Sequence, residues 1–193
     1  MDTQNTTPEV EIPPEKAQKK NPLWDFFSSV ELLAVAAAVV LLFFTFIARI
    51  TVVEGGSMEK TLAGGDKLIV SDVFYTPERG DIVIIQSPTV NGGEAIVKRV
   101  IAVAGDTVAI KADGVYVNGE HLSETDGSLG YTVEDCAYRA KAPITVEDGH
   151  VYVLGDHRSV SYDSRSFGTV DERAVIGKVL LRVSPFSEFG TVD

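Results

Sequence analysis

Cysteine is nearly absent from this chain of 193 residues, with Cys136 the only one. A single thiol excludes an intrachain disulfide framework and cannot by itself form a thiolate metal site. Its ordinary reading is a small, half-buried side chain. No metal and no cofactor is indicated. Disulfides are permitted but not required outside the cytoplasm, so their lack assigns no compartment. Positive charge is also scarce: 17 Lys and Arg stand against 28 Asp and Glu, a net charge of -11. That balance repels phosphate backbones and argues against nucleic acid as a partner. The chain has no internal repeat, no low-complexity segment beyond its N-terminal tail, and no second apolar span near its C-terminus.

What it does have is one long apolar run. Met1 to Asn21 is rich in Pro, Glu, Gln, Thr and Lys and has too little apolar surface to bury, so residues 1–25 are expected to form a disordered cytoplasmic tail. From Leu32 to Ala48 there is no charge, and Thr45 is the only polar side chain. As a helix those roughly 17 residues span about 25 Å. Phe26, Phe27, Ile50, Val52 and Val53 extend the run toward the ~30 Å of a hydrocarbon core. The expectation is one transmembrane helix over 26–50. Lys16, Lys19 and Lys20 precede it and Trp24 lies at its start, which puts the N-terminus in the cytoplasm and everything after Arg49 outside. The chain is thus expected in the cell membrane, with the lipid bilayer as a partner. A cleaved signal peptide would need a shorter core and a small-residue site, and Phe46-Ile47-Ala48-Arg49-Ile50 offers none. A buried core helix would not be apolar on every face with Glu31 and Arg49 bracketing it.

After the anchor the periodicity becomes strand-like. Lys67–Val70, Asp81–Ile85, Ala95–Val103, Thr107–Lys111, Gly114–Val117, His150–Leu154 and Val175–Val183 are short, rich in Val and Ile, and separated by Gly, Pro, Asp and Asn. This predicts an all-β domain. Asp113-Gly114 and Asn118-Gly119 are hairpin signals on either side of Val115-Tyr116-Val117. Gly119 to Pro143 is polar and weakly patterned, and reads as a loop-rich excursion.

Just beyond the apolar run, Gly55-Gly56-Ser57-Met58 presents a serine on a glycine turn. A serine is a poor nucleophile until a base takes its proton. Lys98 is the candidate base. In a strand over Ala95–Val103 it shares one face with Ile96, Val100 and Ala102, while Val97, Arg99, Ile101 and Val103 share the other. An unperturbed lysine is only about 0.4% neutral at pH 8, and lowering its pKa by 2 to 3 units costs roughly 3 to 4 kcal/mol. Burial among apolar groups supplies a shift of that size. Arg99 cannot substitute, because guanidinium keeps its proton. The strand pattern alone also describes a lysine that reaches solvent from a sheet edge. A third cluster, Gly155 to Gly168, is dense in Asp, Arg and Ser. Asp163 and Arg165 can pair there, and the Ser161 hydroxyl can bond a lysine. A solvated polar loop is the plain alternative.

Taken together the chain closely resembles the bacterial type I signal peptidases, membrane-bound Ser-Lys endopeptidases that remove signal peptides from exported proteins. Four motifs stand in that family's order: Gly56-Ser57-Met58-Glu59-Lys60-Thr61-Leu62, Arg79-Gly80-Asp81-Ile82-Val83, Lys98 to Asp106, and Gly155 to Gly168 with its Ser161-x-Asp163-Ser164-Arg165 core. The resemblance implies a mainly β catalytic domain over 51–106 and 150–186, a small inserted subdomain over 107–149, and one transmembrane helix before them. It implies Ser57 as nucleophile, Lys98 as general base, Ser161 as the group orienting that base, and Asp163 and Arg165 as supports of the Ser161 loop. The Ser57 N–H would contribute to the oxyanion hole. Signal peptides of exported preproteins would bind as an added strand beside Thr51–Glu54 and Asp81–Ile85, with Met58, Thr51, Val53, Ile82 and Ile84 as substrate-binding candidates and cleavage after small-x-small residues.

Three positions depart from the family. Lys60 stands where proline is frequent, Gly55 where some members carry serine, and His157 where asparagine is usual. Lys60 also makes Ser57-Met58-Glu59-Lys60 an S-x-x-K motif of penicillin-binding enzymes and β-lactamases, but the accompanying S-D-N and K-T-G elements are missing. His157 beside Asp156 is a rival base for Ser57, although adjacent residues of an extended loop point apart. A catalytically inactive membrane-tethered β scaffold would need neither Ser57 nor Lys98. Met58, Phe74 and Tyr75 are candidates both for membrane contact and for core.

Overall fold

The computed structural model describes residues 22–46, 48–59, 61–122 and 141–192. Cys136, Lys60, the tail before Pro22 and the middle of the inserted segment lie outside those residues. The chain divides between Leu41 and Leu42 into two compact units.

The first is dominated by helix α1, Pro22–Phe46. Proline at the first position costs the helix no hydrogen bond, and the rest of the element contains neither Gly nor Pro. Its Leu32, Leu33 and Leu41 are turned outward, each about two-thirds or more exposed. Among the described residues no helix is long and apolar enough to cross a membrane. The expected helix over 26–50 is corrected at both ends, since α1 begins at Pro22 and Arg49–Val52 is strand β1. The β-branched Ile50-Thr51-Val52 segment pairs with a neighbouring strand instead of continuing the helix.

The second unit is built of antiparallel strands. Besides β1 they are β2 (Lys67–Ser71), β3 (Ile82–Ile85), β4 (Ile96–Val103), β5 (Thr107–Lys111), β6 (Gly114–Val117), β7 (Glu120–His121), β8 (Lys141–Thr145), β9 (His150–Leu154), β10 (Val170–Asp171) and β11 (Val175–Ser184). A short helix α2, Ser164–Phe167, precedes β10. Seven strands form one sheet in the order β1-β2-β11-β3-β4-β9-β10, and four form another in the order β7-β6-β5-β8. The strands of the smaller sheet run between Thr107 and Thr145. That sheet packs Val108, Ile110, Val115 and Val117 against Ile101, Ala102, Tyr152 and Leu154 of the larger one.

The centre of the larger sheet is buried on both faces. Ile82 and Ile84 join Val53, Met58, Leu62 and Val97 on one side, while Val83 and Ile85 join Val100, Val151 and Val153 on the other. A strand covered twice reads as a continuous apolar run rather than an alternating one. In β4 a register shift between Val100 and Ala102 moves Ala102 to the side of the inserted sheet. Lys98 therefore shares its face with Ile96 and Val100 but not, as strict alternation predicts, with Ala102.

Candidate active site

Three segments distant in sequence converge at Ser57. The turn after β1 is made by Gly55, whose positive φ of 77° favours glycine, and closed by the Glu59 N–H donating to the Gly56 carbonyl at 3.1 Å. Below it, Met58 and Leu62 are sunk in the core, which fixes the backbone and leaves Ser57 partly exposed. Lys98 comes from β4, and its Nζ lies 2.7 Å from Ser57 Oγ and 2.9 Å from the Val97 carbonyl oxygen. Its side chain is almost wholly enclosed, at 2% exposure. Burial brings it down from 10.5 to about 8, against the opposing pull of the Asp163 and Asp156 carboxylates. The lysine is the partner of the serine, and the solvent-reaching alternative does not apply.

The third segment is the loop between β9 and α2. Gly155 is where it touches the Ser57 turn: a Cβ there would lie 2.5 Å from the Ser57 carbonyl oxygen and overlap the Ser161 hydroxyl. The His157 N–H donates to that same Ser57 oxygen at 3.0 Å. Asp163 is fully buried and accepts from the Gly155 N–H at 3.1 Å and from Arg165 Nε and Nη2 at 2.8 Å each. Arg165 Nη2 also donates to the Arg158 carbonyl at 2.6 Å. The expected Asp163–Arg165 pair is thus present and holds the loop shut. Ser161 Oγ is buried with no hydrogen-bond partner among the described residues. The hydroxyl lies close to Gly155 and the Ser57 turn, but no bond joins it to Lys98 here.

A buried ion pair that the sequence reading missed ties the segments together. Arg99, next to Lys98, donates through Nε and Nη2 to the two Asp156 oxygens at 2.9 and 2.7 Å, and both side chains are 1% exposed. Arg99 Nη1 adds a bond to the Gly80 carbonyl at 2.9 Å, and Thr61 Oγ1 donates to Asp156 Oδ2 at 2.5 Å. One carboxylate so links the strand of Lys98, the turn after Ser57 and the loop, and Arg99 adds the second motif. The signal available in sequence was an arginine inside an apolar strand, which must find a carboxylate partner if buried.

The expected substrate-binding residues are corrected in part. Met58, Val53, Ile82 and Ile84 are buried side chains packed together in the core. β3 is paired on one side with β11 and on the other with β4, so no strand can be added along Ile82–Ile85. Among the described residues β1 has β2 as its single neighbour, leaving an edge at Thr51 that no described strand pairs. Phe74 is fully exposed at a positive φ of 51°. Tyr75 donates its hydroxyl to Asp81 Oδ2 at 2.7 Å, so of the three residues considered for membrane contact only Phe74 projects freely. His157 Nδ1 faces the Gly56 carbonyl at 3.2 Å and Glu59 Oε2 at 3.0 Å, an arrangement that does not make it the serine's base. Among the described residues no cluster suited to a metal ion occurs.

The profile of the family described as signal peptidase, peptidase S26, matches residues 26–184. A probable signal peptidase I-1 of Synechocystis sp. is 37% identical over 177 residues, covering 86% of this chain and 87% of that protein. Signal peptidase IB of Staphylococcus aureus strain COL is 37% identical over 175 residues, covering 82% and 90%. A crystal structure of a signal peptidase I from Enterococcus faecalis V583 shares 33% identity and covers 54% of this chain and 97% of that one, with a TM-score of 0.44.

Proposed function

The chain belongs to the signal peptidase family S26, serine endopeptidases that remove signal peptides, and from that premise we propose that Ser57 is its nucleophile and neutral Lys98 its general base. The observation carrying this assignment is the 2.7 Å approach of Nζ to Oγ by a lysine that burial has lowered to about 8. Ser57 Oγ attacks the scissile carbonyl as its proton passes to Lys98, and the resulting ammonium returns the proton to the leaving amine. Lys98, neutral again, then takes a proton from the water that hydrolyses the acyl-enzyme and returns it to Ser57 Oγ as the new carboxyl leaves, filling the place of histidine in a serine triad. The Ser57 N–H makes no hydrogen bond among the described residues and serves as an oxyanion donor. The orienting of the lysine is assigned to Ser161 on the resemblance of its loop to the family motif, and the Asp163–Arg165 pair supports that loop.

The substrate is an extended preprotein segment laid along the free edge of β1 near Thr51 and cut after small-x-small residues. α1 is the membrane anchor of this reading. What supports it is the sequence, where Leu32 to Ala48 carries no charge and Thr45 as its only polar side chain, although among the described residues no helix meets the length and apolarity of a full span. Lys16, Lys19 and Lys20 before it place the N-terminus in the cytoplasm and the β domain outside. Purified full chain in detergent is expected to cleave a precursor after a small-x-small sequence. Ser57→Ala and Lys98→Ala should each abolish cleavage, while Lys60→Ala keeps it. An active Lys98→Ala enzyme overturns the dyad, and an uncut precursor with every variant would leave only the scaffold reading.

A further inference from the structure

The peptide unit between Gly56 and Ser57 carries two opposed groups. Its N–H belongs to Ser57 and is the oxyanion donor assigned above. Its oxygen is held by the Glu59 N–H at 3.1 Å and by His157 Nδ1 at 3.2 Å. A trans peptide is planar, with C=O and N–H directed to opposite sides, so whatever fixes the oxygen aims the hydrogen. A bond to the oxygen also polarises the amide and strengthens its N–H as a donor. His157 Nδ1 has two acceptors before it, the Gly56 oxygen and, at 3.0 Å, the Glu59 carboxylate. Neither can donate, which places the proton on Nδ1. Glu59 belongs to the same turn, so the imidazole is held against the peptide by the segment it braces. The backbone of His157 meanwhile donates to the Ser57 oxygen at 3.0 Å.

We propose that His157 is a positioning residue for the oxyanion hole: its Nδ1–H grips the Gly56 carbonyl and fixes the Gly56–Ser57 peptide so that the Ser57 N–H meets the charge developing on the substrate carbonyl. The role rests on the reading of Ser57 as nucleophile. It differs from that of the general base, because His157 takes no proton from the serine. The backbone bond to Ser57 survives any side-chain change, so substitutions at 157 isolate the contribution of Nδ1.

The test uses the full chain in detergent with a precursor peptide. Removing a direct oxyanion donor costs about 100-fold or more in kcat, and loosening one through its peptide should cost less. His157→Leu, which keeps bulk and loses the donor, is expected to lower kcat about 10-fold with KM within twofold. His157→Asn, whose amide can donate to the same oxygen, should recover most of that loss. A peptide aldehyde reports the hole directly: Ser57 Oγ adds to its carbon, the serine proton passes to Lys98, and the carbonyl oxygen becomes the oxyanion. Its affinity should fall about 10-fold in His157→Leu, while the matching peptide alcohol, which cannot add, binds unchanged. A kcat for His157→Leu within twofold of the unsubstituted chain overturns the proposal, as does a loss shared equally by aldehyde and alcohol. Should Ser57→Ala still cleave, the assignment of the nucleophile fails and this role with it. If Ser57→Ala is dead and His157→Leu fully active, only the role of His157 is lost.

Discussion

Replacing Lys98 by methionine should stabilise the protein while abolishing its activity. The folded chain holds Lys98 near 8 against an ordinary 10.5, a gap of 2.5 units that corresponds to about 3 kcal/mol at pH 7. The unfolded chain binds the extra proton between those two values, so stability rises with pH across that window, and below pH 8 the full penalty is present. Methionine fills similar space without a charge, but it leaves the Val97 carbonyl, now 2.9 Å from Nζ, without that donor, a loss of about 1 kcal/mol. The net gain is about 2 kcal/mol at neutral pH, or roughly 5 °C in Tm for a unit of this size. By pH 10 the lysine is neutral in the folded state and the advantage shrinks to near zero. Calorimetry of the full chain and of Lys98→Met in one detergent, at pH 7 and pH 10, measures both numbers. Equal Tm values at pH 7, or a difference that does not shrink with pH, would refute the depressed lysine on which the proton transfer depends.

Other substitutions probe the scaffold of the site. Gly155→Ala puts a methyl group 2.5 Å from the Ser57 oxygen and should lower kcat/KM at least 10-fold, measured on a precursor peptide. Asp156→Ala strands Arg99 in the core, at 1% exposure, and should cost about 3–5 kcal/mol in urea or thermal unfolding. The double change Arg99→Met with Asp156→Leu should recover much of that stability. Ser161→Ala should slow kcat with little loss of Tm, because the Ser161 hydroxyl makes no bond among the described residues that folding would forfeit.

Legibility in the sequence followed the locality of the signal. β5, β6 and β9 stand at their expected bounds, because Val-rich segments there are flanked by Asp-Gly and Asn-Gly turns. β1 was hidden, since its Ile50 and Val52 continue the apolar run of α1 and only pairing with β2 makes them a strand. β8 was hidden by Lys141 and Pro143, residues tolerated because it is the edge of its sheet. Ser57 and Lys98 are candidates from a glycine turn and an apolar strand, and the resemblance of four motifs to a family is what joins them as a pair. Arg99–Asp156–Thr61 could not be named, because ion pairing between residues 57 positions apart leaves no local pattern. The strand addition expected along Ile82–Ile85 fails because both edges of β3 are already paired, which nothing in its composition says.

The central claim is that Ser57 loses its proton to a neutral lysine, and the dependence of kcat/KM on pH tests it most directly. For the full chain acting on a precursor peptide, the rate should climb through an ionisation near pH 8, the value to which burial lowers Lys98, and stay high on the alkaline side. An acid limb near pH 6.5, the range of an ordinary histidine, or a rate that peaks below pH 6, would contradict it.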